Sequence, residues 1–226
     1  ANPLELTLSG TVTASVNVGT GGVFLTESNP MTILATGIKA GTGNVVLKAP
    51  SFTVNGDITG NNIDIDATGA VTMSNGSQIT SAAGIITIDA TGNITIGSAS
   101  TGNATAAAIS IVTTGGNISD GGDTHRDIIA NSTGAVVTLT AATGIGSGNS
   151  LETTITSLDG SVTGTGSLEI SESDAIILAD LDTSNGLITV TAGGQLTATD
   201  VDSSNSDNDS NDISLTTTSG AVVLGV

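Results

Sequence analysis

Two acidic stretches contain the residue types that could do chemistry. In the first, Asp120, Asp123, His125 and Asp127 fall inside the Gly-rich segment Ser119 to Thr133, which also holds Arg126, the lone arginine. An imidazole among carboxylates suits a metal ion or general acid–base catalysis. One histidine in a Gly-Gly loop is more often a solvated surface residue than a site. His125-Arg126-Asp127 matches a kinase tripeptide in letters only, because no nucleotide loop or helical lobe surrounds it. The second stretch, Thr199 to Asp212, offers Asp200, Asp202, Asp207, Asp209 and Asp212. Clustered oxygens are what Ca²⁺ needs, yet Asn205 stands where an EF-hand requires glycine and Asn211 where it requires a bidentate Glu. The nonapeptide calcium repeat GGxGxD is missing as well. The sequence therefore assigns no catalytic, cofactor-binding or metal residue, and Ca²⁺ at 200–212 is the one cofactor it leaves open.

The elements that must carry these residues are strands. Ile, Val, Leu and Ala alternate with Thr, Ser, Gly and Asn, a period of two that fits a pleated, half-buried surface. Only Phe24 and Phe52 are aromatic, and Trp, Tyr and Cys are absent, so a globular core built on large side chains is not expected. Glycine interrupts every possible helical stripe, and Ala104 to Ala108 is the single helix-friendly run. Formal charge is −18, with Lys39, Lys48 and Arg126 as the only cationic side chains. Such a surface repels phosphate backbones and anionic lipid, which argues against nucleic-acid partners. No apolar run reaches the length of a membrane span, so membrane insertion by this segment is not expected.

One phrase organises the pattern: IDIDATGAVTM (Ile63 to Met73) returns as ITIDATGNITI (Ile86 to Ile96), roughly 23 residues on. The alternation predicts Ile63, Ile65, Val71 and Met73 pointing inward beneath Ile86, Ile88, Ile94 and Ile96. Asp64, Asp66, Thr87 and Asp89 then face water. Coil starts follow near Val45, Ile63, Ile86, Ile109, Val137, Leu168, Ile188 and Ile213. Recurrent corners at Thr68-Gly69, Thr91-Gly92, Gly115-Gly116, Gly193-Gly194 and Ser219-Gly220 suggest bends made by a residue of positive φ. Hairpin-type pairs at Asn55-Gly56, Asn75-Gly76 and Asn185-Gly186 do not recur once per repeat. The expectation is one continuous all-β parallel β-solenoid of roughly eight to ten coils. Residues 1–44 form less regular coils and 45–226 regular ones, with loops at 119–133, 144–166 and 199–212. The chain reads as an excerpt of a longer repeat protein.

The recurring phrases, with ISIVTTGGNIS, ITVTAGGQLTA and ISLTTTSGAVVL, resemble the β-helical repeats of large bacterial exoproteins. These are the filamentous-haemagglutinin-like adhesins of two-partner secretion and related β-strand-repeat surface proteins. The resemblance covers most of the chain from Val45 and more loosely from Leu4. It implies a right-handed parallel β-helix in an extracellular, filamentous stalk at the bacterial cell surface. The implied function is adhesion, with a host or neighbouring-cell glycan or protein, or further copies of the chain, as partner. The protein is not expected to be an enzyme. A polysaccharide-cleaving β-helix is the main alternative, but it needs basic residues and aromatic platforms that this composition nearly lacks. An ice-binding solenoid is another, resting on Thr72, Thr87, Thr95, Thr138 and Thr189. Only Thr138-x-Thr140 and Thr189-x-Thr191 form pairs of the kind a flat ice face would use.

Overall fold

The computed structural model describes residues 4–5, 11–15, 21–122, 125–203 and 211–225. Among them every strand pairing is parallel and no helix occurs, giving an all-β solenoid of about nine turns. The helix-friendly run is a turn: Asn103 Oδ1 accepts bonds from the Thr105 amide (2.8 Å) and hydroxyl (2.6 Å), which ties the backbone into a short local loop. Two sheets of twelve and fourteen strands line the coil. In the regular turns one strand sits in the first sheet and two shorter strands in the second. An example is Ile63–Ala67 followed by Val71–Met73 and Gln78–Ser81. The two arms of the second sheet are joined by the long strand Met31–Lys39, whose ends pair separately with Phe52–Val54 and with Ile58–Gly60.

Pleat alternation decides what is buried. Ile86 pairs with Ile63 and with Ile109, and Ile88 with Ile65 and Ile111; all six are sealed from solvent. Ile94 lies over Val71, and Asp64, Asp66, Thr87 and Asp89 alternate outward, half-buried, as the repeat predicts. The first-sheet ladder runs Val23, Val45, Ile63, Ile86, Ile109, Val137, Leu158 and Leu178. Leu168, Ile188 and Ile213 pair with one another in the second sheet instead. The coil starts read from sequence therefore change face after Val137. The missed turn is Ser157–Val162, where Gly160 occupies the inward position between Leu139 and Leu181 and breaks the apolar pattern. A Cβ there would come within 2.9 Å of Leu168 and 3.0 Å of Leu181. The stretch 144–166 thus holds two strands, with Leu151–Ile155 preceding Ser157–Val162.

The corners also work differently from the expectation. Of the recurring corner glycines only Gly220 has positive φ. Close stacking keeps side chains off most of the others: a Cβ on Gly116 would lie 2.5 Å from the Asn93 nitrogen, and one on Gly193 2.0 Å from the Ser173 carbonyl oxygen, whereas at Gly92 the nearest atom would be 3.0 Å away. Corner asparagines add lateral bonds. Asn44 Oδ1 accepts from the Asn62 amide (3.2 Å), Asn62 Oδ1 from that of Ile85 (3.1 Å), and Asn93 Oδ1 from that of Asn117 (3.2 Å). Each cap satisfies a backbone donor that the bend takes out of the ladder.

Candidate functional site

Strand alternation turns Asp120 inward. In Ile118–Asp120 the first and last residues are buried, and Asp120 stands in the ladder position occupied by Ile96 one turn earlier. In that earlier turn Gly97 alone separates Ile96 from Ser98. Here six residues of sequence separate Asp120 from Asp127, which stands just ahead of the strand Ile128–Ala130. Asp127 is fully buried, and its backbone is held on both sides: Ala99 N–H donates to its carbonyl and its own N–H donates to the Glu152 carbonyl, both at 2.7 Å. The next turn makes an excursion at 146–150, with Gly146 and Gly148 at φ +61° and +81°. It brings Asn149 and Glu152 to the same corner. One oxygen from each of Asp120, Asp127 and Glu152 lies within 4.8 Å of the others.

The polar contacts of this corner are specific. Asn149 Nδ2 donates to Asp120 Oδ2, and the Glu152 amide donates to Asp127 Oδ2 at 2.8 Å. His125 and Arg126 are exposed and line a shallow groove with Gln78, Ser98 and Ile129. The grouping suggested by sequence is therefore divided: Asp120 and Asp127 converge, while His125 faces solvent and Asp123 lies outside the described residues. Glu152 and Asn149 were not singled out in the sequence. They lie in a Gly-rich stretch, and their proximity depends on how many residues each turn contains.

Other acidic groups behave differently. Asp200, Asp202 and Asp212 are exposed, and Asp207 and Asp209 lie outside the described residues. On the first sheet Asp64, Asp66 and Asp89 form a half-buried triad, with Lys48 Nζ bonded to Asp66 Oδ2. Partial burial, then the Asp66 charge, holds the Asp64 and Asp89 carboxyls above the ordinary aspartate value. Glu172 is a carboxylate inside the wall, 3 % exposed. Its Oε2 accepts from the Thr153 hydroxyl (2.8 Å) and the Ile155 amide (2.9 Å), and its Oε1 from the Asp174 amide (3.1 Å). Burial nonetheless raises its pKa, with the bonds to the charged form opposing the shift. The threonine pairs do not share a face: Thr138 and Thr140 belong to the first sheet, Thr189 and Thr191 to the second.

No protein-family model matches the chain, and neither the curated proteins nor the solved structures contain a significant match. No described helix is long and apolar enough to cross a membrane.

Proposed function

We propose that the chain is a structural and adhesive stalk segment of a secreted bacterial surface protein, akin to the exoproteins its repeats resemble. The observation that carries this reading is the unbroken parallel ladder of aliphatic residues from Val23 to Leu178, which makes one rigid wall of stacked turns. At the usual interstrand spacing, about nine turns extend about 40 Å, so length scales directly with the number of repeats. Ile213, Val222 and Leu224 are exposed on the last described turn, an apolar edge suited to a further coil or a further copy. Excursions such as 146–150 would present variable surface from a fixed rod.

Two measurements test the reading together. Purified protein applied to bacterial and host-cell glycan and protein arrays should bind without consuming its ligand, and electron micrographs should show rods. Release of sugar products from acidic polysaccharides would replace the stalk with the β-helical enzyme. Compact particles that bind neither array would remove the adhesive role.

A further inference from the structure

We propose that Asp120, Asp127 and Glu152 form a binding site for one Ca²⁺ ion, which ties two successive turns of the coil to each other. Three carboxylates in one corner are not enough, because acidic groups often gather without an ion. The second observation is the state of Asp120. Its side chain is 9 % exposed; Oδ2 takes the Asn149 amide, while Oδ1 is sealed from water and accepts no hydrogen bond. Asp120 also contributes one carboxylate oxygen to the group that Asp127 and Glu152 complete.

Glu172 shows how this fold treats a buried carboxylate that serves structure alone. Hydroxyl and amide donors meet both of its oxygens. A sealed carboxylate oxygen without a donor is costly unless a cation compensates it. The donor set is all oxygen, which selects a hard cation over zinc or copper. One oxygen from each carboxylate lies within 4.8 Å of the others, close enough to share one ion, and Ca²⁺ accepts irregular carboxylate sets more readily than Mg²⁺, which demands a near-ideal octahedron and sheds its waters reluctantly. The Asp64, Asp66 and Asp89 triad is a poorer candidate, since it is half-exposed and Lys48 already binds Asp66.

The ion would tie Asp120 and Asp127 in one turn to Glu152 in the next. The site therefore goes beyond the stalk reading: it makes the rigidity of one corner depend on calcium, and it stands or falls whether or not the rod is an adhesin.

The test is calorimetric titration of chelator-treated protein with CaCl₂ and, separately, MgCl₂, paired with thermal melts. One saturable Ca²⁺ site is expected, with a melting midpoint raised by about 5 °C at saturation. Asp120→Asn and Glu152→Gln should each weaken binding at least tenfold. In chelator, Asp120→Asn, which keeps an oxygen to accept the Asn149 amide, should melt within about 2 °C of the parent. That second readout separates loss of a ligand from loss of folding. Asp66→Asn should bind like the parent. Absence of saturable heat in the parent, binding unchanged in both corner variants, equal loss in Asp66→Asn, or tighter binding of Mg²⁺ would each overturn the assignment.

Discussion

Thr87 and Ile88 are neighbours on the strand Ile86–Ala90, and the pleat turns one toward water and the other into the stack between Ile65 and Ile111. Ile88→Asp places a charge where nothing compensates it and should cost about 4 kcal/mol. Thr87→Asp stands on the outer face between Asp64 and Ser110 and should cost about 1 kcal/mol or less. Denaturant titration of both variants checks this, and equal losses would overturn the register. Glu172 tests satisfaction instead of burial. Glu172→Ala leaves the Ile155 and Asp174 amides without their acceptor, for about 3 kcal/mol, whereas Glu172→Gln keeps an accepting oxygen and should cost less. If the two variants were equally unstable, the hydrogen bonds would not be what holds that carboxyl in the wall.

At the scale of the coil, turns stack so closely at their corners that backbone replaces side chain. Gly116→Ala pushes a methyl group against the Asn93 nitrogen and the Gly92 backbone, and neither can move without shifting the turn below. Gly76 has φ +81° but open space around its missing Cβ, so Gly76→Ala costs only left-handed backbone strain, about 1 kcal/mol. Melts of the two should place Gly116→Ala several degrees lower. The reverse order would mean that conformation, not approach distance, selects glycine at these corners.

At the scale of the molecule, charge of one sign sets the response to pH. Burial is the largest cause of the raised carboxyls at Asp64, Asp89, Asp159, Asp182 and Glu172. Neighbouring carboxylates add to it: Asp66 for Asp64 and Asp89, Asp180 for Asp159, and Asp180 with Asp202 for Asp182. A group whose folded pKa exceeds its unfolded value binds its proton more tightly when folded. Its contribution is complete below the unfolded value, 3.8 for Asp or 4.5 for Glu, and is lost as pH rises through the folded value. In chelator, the melting midpoint should therefore rise as pH falls from 7 through the folded values toward about 4, and salt at pH 7 should produce part of the same gain. Melts at fixed ionic strength across that range check the sign. A midpoint that falls on acidification would show that carboxylates paired in the folded state dominate.

The sequence by itself determined the fold class, because a strand records its two faces as a period of two and a solenoid repeats that record turn after turn. Ile63–Met73 and Ile86–Ile96 were enough to assign which side chains are inside. It did not determine which strands share a ladder after Val137, since Gly160 removes an inward side chain and the turns change length. It did not explain the corner glycines, whose constraint is a contact with the turn below and leaves no local trace. The acidic corner was legible only in part. Asp120 and Asp127 are close in the chain, but Glu152 and Asn149 reach them only because two turns stack. Residues from different turns meet according to the lengths of the loops between them, and the tertiary structure alone decided that.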